Sequence, residues 1–86
     1  MTSETDFSNK YNAEIEIAGC MIAGRLRALG ISGVIVSPGG VADFESPLAE
    51  IRDSVLKDRR EAGYELSYSQ LCHSFYHANK LLNPKQ

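Results

Sequence analysis

GISGVIVSPGGVADFESP, residues 30–47, is the stretch that decides the fold of this chain. It contains three consecutive β-branched residues, Val34, Ile35 and Val36, and a Ser-Pro-Gly-Gly turn follows at once. A run this short, bounded by proline and glycine, does not form a buried strand. We predict an apolar crossover between two helices, and the alternative is a short strand that pairs with a second copy or a partner's edge. The crossover is expected to bury Val34, Val36, Val41 and Phe44.

The residues before the crossover predict one long helix from Ser8 to Leu29. Apolar side chains recur there every three or four positions, which is the spacing of one buried helical face. Gly30 follows as a stop, because glycine adopts the left-handed conformation of a helix C-cap without steric cost. A second interpretation takes the alternation of residues 13–17 as a strand and gives an α+β fold with a β-α-β start. The predicted stripe consists of Tyr11, Ile15, Ala18, Ile22, Leu26 and Leu29.

Two further helices are predicted after the crossover. Ser46 is expected to cap the second helix, with Pro47 as its first residue and Gly63 as its stop. Ser67 and Gln70 have the spacing of a capping box, which predicts the start of the third helix. The fold class is therefore mainly α, a small three-helix domain with a Gly/Pro-rich crossover between the first two helices. We expect Leu48, Ile51, Val55, Leu56, Ala62, Leu71, Phe75, Ala78 and Leu82 to be buried, and Arg52, Asp53, Lys57, Asp58, Arg60 and Glu61 to face water.

The composition fits one ordinary globular domain of 86 residues, with 43% hydrophobic and 23% charged residues. We predict a flexible N-terminus over residues 1–7, a helical domain over 8–83 and a C-terminal tail over 84–86. The formal net charge of −2 makes nucleic acid an unexpected partner. We expect no secretory leader and no membrane-spanning segment, and two cysteines without an export signal indicate free thiols in the cytoplasm.

Tyrosines concentrate toward the end of the chain, between positions 64 and 76. Tyrosine is enriched at interface hot spots because it buries a large area at a low cost in conformational entropy. The predicted function is a small non-enzymatic protein-binding module. It is an inhibitor or adaptor that docks on a larger protein complex, of the kind that phages and mobile elements encode. The alternative is that these rings pack within the domain. The predicted partner-binding residues are Tyr64, Tyr68, His73, Tyr76, His77 and Lys80.

The first helix carries a face of small residues, Ala18, Gly19, Ala23 and Gly24. Glycine within a helix costs about 1 kcal/mol relative to alanine. Close approach of another helix offsets that cost. We therefore predict a packing role for this face, and a homodimer that forms there is one version of it.

Residues with chemical potential do not form a reaction centre in the sequence. His73 and His77 share a helical face, but no glutamate lies between them as in a zinc-protease helix, and no Cys-x-x-Cys pair completes a metal site. Cys72 and His73 are adjacent on a helix, where neighbouring side chains do not face each other, so they do not form a nucleophile–base pair. We predict no catalytic residue, no metal and no cofactor.

Two other functions remain as alternatives. A DNA-binding transcriptional regulator requires Lys57, Arg59, Arg60 and Lys80 to form one basic face. A protein that binds or sequesters a small anionic ligand such as a nucleotide would use backbone N–H groups of the turn after the crossover. The residues predicted for that ligand are Tyr11, Arg25, Arg27, Ser37, Gly39 and Gly40.

Overall fold

The computed structural model describes the backbone of residues 3–84 and the side chains of residues 13–84. It contains three α-helices, α1 (Ser3–Ala28), α2 (Leu48–Glu61) and α3 (Tyr68–Leu82), and one 3₁₀ turn over Gly40–Asp43. The mainly α fold is thereby confirmed. No strand occurs within residues 3–84, so the β-α-β start is wrong. The alternation of residues 13–17 lies inside α1, whose apolar spacing extends well beyond it.

Helix α1 begins at Ser3 rather than at Ser8. The intervening residues include neither proline nor glycine, so the backbone continues as a helix through them. Met1 and Thr2 lie outside the described residues, as do Lys85 and Gln86 of the predicted tail.

Gly30 ends α1 as the sequence predicts. Its φ is +75°, the left-handed region that glycine adopts without strain. The N–H of Gly30 donates to the carbonyl of Arg27 at 3.0 Å, and the N–H of Ile31 donates to the carbonyl of Leu26 at 2.9 Å. This pair of bonds is the Schellman motif, which satisfies carbonyls at the end of a helix. Because the helix is complete at Ala28, Leu29 leaves the predicted stripe and is 55% exposed.

Helix α2 begins differently from the prediction. Its first residue is Leu48, Pro47 occupies the N-cap position, and no side chain caps the helix. The predicted Ser46 cap is therefore wrong. The helix starts beyond the reach of that hydroxyl, and the carbonyl of Glu45 instead accepts from the N–H of Ala49 at 2.9 Å. At the other end Gly63 has a φ of +96° and provides the predicted stop, which leaves Ala62 exposed rather than buried.

The start of α3 confirms the capping box. The Ser67 hydroxyl accepts from the N–H of Gln70 at 3.1 Å, and the Gln70 side chain accepts from the N–H of Ser67 at 2.9 Å. Two N–H groups without intrahelical partners are thus satisfied by one short motif. Ser74 is fully buried, and its hydroxyl donates to the carbonyl of Gln70 at 2.8 Å, so its burial leaves no unpaired donor.

Helices α1 and α3 run in the same direction. Gly19 faces His77, and further along both helices the Arg27 guanidinium donates to the carbonyl of Leu81 at 3.3 Å. The core lies between these two helices, α2 and the crossover. Its buried hydrophobic residues are Ala18, Ile22, Ala23, Leu26, Val34, Val41, Ile51, Val55, Leu66, Leu71, Phe75 and Ala78.

Helix α2 runs against α1. Its first turn lies beside the end of α1, where Pro47 and Leu29 line the same groove. Near its own end, the Arg59 guanidinium pairs with the Glu14 carboxylate at 2.9 Å. Both of these side chains are only 14% exposed, so the pair links the two helices where water screens it weakly.

The crossover is packed against the core, as predicted, but it runs along α3 instead of over the helix ends. Ser32 bonds Asn83 just beyond the end of α3, and Gly40 lies beside Cys72 near its start. Val34 and Val41 are buried, and Val36 and Phe44 pack against the core. Phe44 meets Phe75 edge-to-face, with ring centroids 4.9 Å apart and an interplanar angle of 78°, which is a favourable arrangement for two aromatic rings.

The prediction that Arg52 faces water is wrong. Its side chain is only 13% exposed and donates to the carbonyl of Val41 at 2.7 Å, so it ties the 3₁₀ turn to the helix. It also hydrogen-bonds Asp53 at 2.8 Å. That hydrogen bond lowers the pKa of the Asp53 carboxyl below its usual value, because it stabilises the carboxylate.

Candidate functional site

An open groove of about 270 Å³ lies between α1 and α3. We call it the α1–α3 groove. It brings together several of the residues predicted to bind a partner, together with two residues of α1. Its lining consists of Ile15, Glu16, His73, Tyr76, His77 and Lys80.

Helical periodicity places the α3 residues of the groove on one face. Positions three and four apart lie side by side on a helix, so His73, Tyr76, His77 and Lys80 form a continuous row. The opposite face of α3 packs into the core, with Leu71, Phe75 and Ala78 all 0% exposed. The groove residues are therefore held by a rigid helix while their side chains remain at the surface.

Tyr76 is the largest partly exposed side chain of the groove, at 48%. Its ring lies edge-on to that of His73, with centroids 6.4 Å apart. Ile15 adds an apolar side chain from α1, and Glu16 and Lys80 place one charge of each sign within the lining. The groove thus combines an apolar and aromatic surface with hydrogen-bonding and charged groups.

Gly19 sets how closely the two helices approach. A Cβ built on Gly19 would lie 2.6 Å from Cδ2 of His77, closer than carbon atoms pack. Ala18, Gly19 and Ala23 are all buried within the chain itself. The predicted packing role of this small-residue face is therefore intramolecular. A homodimer seam through these three residues is not available, because this chain's own α3 already covers Gly19.

The two glycines of α1 are expected to respond in opposite ways to alanine. Nothing lies within 4 Å of a Cβ built on Gly24, so Gly24→Ala should stabilise the protein by about 1 kcal/mol through helix propensity. Gly19→Ala gains the same propensity but overpacks the helix contact, which typically costs about 1–3 kcal/mol. Urea denaturation of both variants measures the difference.

His77→Ala provides the control for that prediction. Combined with Gly19→Ala, it removes the ring that the new methyl group meets, and the double variant should be more stable than additivity predicts. Equal stabilisation by both single glycine variants would contradict the close contact.

The other two tyrosines lie outside the groove. Tyr64 stacks on the Arg59 guanidinium, whose Cζ lies 4.8 Å from the centroid of the ring. Cζ of Arg52 lies 5.7 Å from the centroid of the Tyr68 ring. Each ring is about half exposed, 49% for Tyr64 and 46% for Tyr68. The structure therefore divides the predicted cluster: Tyr76 faces the groove, whereas Tyr64 and Tyr68 cover arginines of α2.

The residues of the predicted anion site do not come together. The Arg25 guanidinium pairs with Asp58 on α2, and Arg27 donates to α3. At the turn, a Cβ on Gly39 would overlap the carboxylate of Asp43, so the nearest charged group is negative. Ser37 and Gly40 close the turn through a backbone bond of 2.8 Å. The Tyr11 side chain lies outside the described residues.

The basic residues of the DNA-binding alternative are divided in the same way. Arg59 is paired with Glu14, and Arg60 lies 3.5 Å from the Glu65 carboxylate. Lys80 belongs to the α1–α3 groove, on a different helix. Two of the predicted cations are thus paired with carboxylates, which lowers the charge available to a phosphate backbone.

Both cysteines are free thiols, Cys20 exposed and Cys72 half-buried. Across the described part of the chain, no three His, Cys, Asp or Glu side chains come close enough to hold a metal ion together. Among residues 3–84 no helix combines the length and the apolar character needed to cross a bilayer.

Sequence reasoning missed two members of the groove, Ile15 and Glu16. The spacing of Ile15 predicts that it belongs to the buried stripe, and its half-buried state follows from its position at the edge of that stripe.

Comparison with protein-family models, with curated proteins and with solved structures gives no match to this chain. The fold and the groove therefore define a class only: a three-helix domain with one mixed apolar and polar groove between two parallel helices.

Proposed function

We propose that this chain is a small non-enzymatic protein-binding module, an inhibitor or adaptor that docks on a larger protein. The α1–α3 groove is its docking surface, with Tyr76 at the centre of the contact. The single observation that supports this most directly is the exposure of Tyr76, whose ring stays half in water on a helix whose other face is buried.

The make-up of the groove supports the proposal. Protein interfaces combine an apolar and aromatic centre with a polar rim. Here Ile15 and Tyr76 supply the centre, while Lys80 and the histidine rings supply hydrogen-bond donors at the edge. The partner that fits is a protein surface with an apolar side chain next to carboxylate or carbonyl oxygens. The two free thiols are compatible with a reducing compartment, and we propose the cytoplasm as the site of action.

The test compares two tyrosines of equal exposure. Wild type, Tyr76→Ala and Tyr64→Ala are immobilised, and proteins captured from host lysate are quantified by mass spectrometry. Tyr76 is 48% exposed and Tyr64 is 49% exposed, so both substitutions remove the same ring at nearly the same exposure, one inside the groove and one outside it. We expect Tyr76→Ala to weaken specific capture at least about tenfold, the loss typical of a hot-spot residue, and Tyr64→Ala to retain it.

Thermal unfolding of the three proteins serves as the folding control. Capture that falls equally in both variants, or in neither, would contradict the assignment of the groove. A Tyr76→Ala protein that does not fold would show that this ring belongs to the core.

A further inference from the structure

Residues 31–37 of the crossover contain no helix, turn or bend, so the segment is extended, and α3 holds it along one edge. The N–H of Val34 donates to Oδ1 of Asn79 at 2.8 Å, and Nδ2 of Asn79 donates back to the carbonyl of Val34 at 2.7 Å. Nδ2 of Asn83 donates to the carbonyl of Ser32 at 2.7 Å. One asparagine amide thus bonds a residue in the same two-way pattern that a neighbouring strand residue would use.

The opposite edge of the same segment is open. In an extended chain the peptide groups of alternate residues point to opposite sides. Gly33 and Ile35 alternate with the bonded Val34, and within the described residues their N–H and carbonyl groups have no hydrogen-bond partner. Both residues are exposed, and Ile35 is 92% exposed, the highest value among the large hydrophobic residues whose side chains the structure describes.

An acidic groove of about 430 Å³ adjoins this edge. Val34, Phe44 and Leu48 contribute apolar surface, and Asp43 and Glu45 contribute carboxylates. In the part of the chain that the structure describes, neither carboxylate forms an ion pair. The groove therefore presents an apolar surface next to uncompensated negative charge.

We propose that this edge binds an extended basic peptide segment of a partner protein by strand addition. Main-chain hydrogen bonds to Gly33 and Ile35 supply the pairing, and an aliphatic side chain of the peptide covers Ile35. Lysine or arginine side chains of the peptide face Asp43 and Glu45. Strand addition obtains its affinity from main-chain bonds and its specificity from alternate side chains, and this segment offers both.

Charge selects a basic peptide over a second copy of this chain. Two copies paired at this edge would bring four like charges together, those of Asp43 and Glu45 from each chain, which is unfavourable. The open edge is also short, because it offers the peptide groups of only two exposed residues, Gly33 and Ile35. Such a short contact buries much less than the roughly 1,200–2,000 Å² of a stable interface between folded proteins.

This surface goes beyond the proposed function, because none of its residues lines the α1–α3 groove. A module with two separate docking surfaces joins two partners, which is the activity of an adaptor rather than of a simple inhibitor.

The test uses a fluorescein-labelled octapeptide that alternates valine with lysine or arginine. Fluorescence polarisation measures its binding to the full chain, and ¹⁵N NMR maps the amides that shift. We expect saturable binding, with shifts at Gly33 and Ile35. Three comparison peptides complete the set. The first has glutamate in place of the basic residues, and the second is N-methylated at alternate amides with its charge unchanged. The third has the basic sequence in scrambled order, interrupted by glycine.

Two variants and one control protein accompany the peptides. The double variant Asp43→Asn, Glu45→Lys should bind the basic peptide with about tenfold lower affinity. The loss or reversal of each charge pair at a partly desolvated surface changes the affinity a few-fold. Ile35→Ser should weaken it without changing the melting temperature, because that side chain is already in water. Tyr76→Ala should bind the peptide as wild type does, which separates this site from the α1–α3 groove.

Three results would overturn the proposal with wild-type protein alone. Equal binding of the N-methylated peptide would exclude strand addition. Equal binding of the glutamate peptide would exclude charge recognition. Concentration-dependent dimerisation that shifts Gly33 and Ile35 in the absence of peptide would make a second copy the occupant.

Discussion

Replacing Phe75 with alanine is expected to lower the free energy of unfolding by about 3–5 kcal/mol, the loss typical of a fully buried aromatic residue. Phe75 is 0% exposed and is the largest fully buried side chain within residues 13–84. Its ring also contacts Phe44, so the cavity left behind would open both the centre of the core and the attachment of the crossover. Hydrogen bonds tie the crossover to Arg52 of α2 and to Asn79 of α3, which opposes collapse of the cavity.

The loss is large relative to what a domain of this size has in reserve. Stability of about 0.05–0.15 kcal/mol per residue gives roughly 4–13 kcal/mol for 86 residues. Phe75→Ala is therefore expected to be largely unfolded or to melt far below the wild type. Circular dichroism during urea and thermal denaturation measures this.

Tyr76→Ala is the matched control for Phe75→Ala. It removes a ring of similar size from the next position on α3, but that ring is half exposed. We expect its melting temperature to stay close to that of the wild type. A stable Phe75→Ala protein, or an equal loss in both variants, would mean that the core does not depend on the face of α3 that the structure buries.

Replacing Asn79 with alanine is expected to cost about 2–4 kcal/mol. The change removes both hydrogen bonds to Val34, whose N–H and carbonyl then lose their partners beside the core. A buried polar group without a partner costs about 1–3 kcal/mol. Val34 is only 7% exposed, so water reaches these groups poorly unless the crossover moves.

Hydrogen exchange at the Val34 amide gives the more specific readout. In the wild type this amide should be protected, and in Asn79→Ala it should exchange faster by a larger factor than amides in the middle of α2. Asn83→Ala is the control, since its main bond reaches one carbonyl, that of Ser32, at the exposed end of the crossover. We expect it to cost about 1 kcal/mol or less. Unchanged protection of Val34 in Asn79→Ala would contradict the role of this asparagine.

The same variant connects stability to the proposed peptide site. If Asn79 holds the crossover extended, Asn79→Ala should also weaken binding of the basic peptide, because the segment must then be ordered at the moment of binding. Asn83→Ala should weaken it less. The fold of α3 thereby determines how well the opposite edge of the crossover is presented.

The ends of the helices were largely predictable from sequence. Gly30 and Gly63 stop α1 and α2, and Ser67 with Gln70 starts α3, because each of these signals is a hydrogen-bond motif completed within about five residues. The exceptions are the start of α1, which lies at Ser3 instead of Ser8, and the predicted cap of α2, Ser46. Its hydroxyl is a suitable cap by type, but the helix starts at Leu48, and residue type alone does not specify where the backbone turns.

The α3 side of the groove, four of its six lining residues, could also be predicted. The spacing of His73, Tyr76, His77 and Lys80 places them on one helical face whatever surrounds the helix. Their neighbours from α1 could not be predicted in the same way. Ile15 has the spacing of a core residue, and only the position of α3 relative to α1 decides that its side chain lines an open groove.

The sequence by itself therefore determined the three helices, two of their stops, one capping box, the burial of the crossover and the polar row on α3. These features depend on backbone chemistry and on helical periodicity, which are local. The tertiary structure alone decided the long-range pairs: Gly19 against His77, Asn79 on Val34, and Arg59 on Glu14. The partners in each pair lie far apart along the chain, where no periodic pattern links them, and they meet because burial of the shared core fixes how the helices pack.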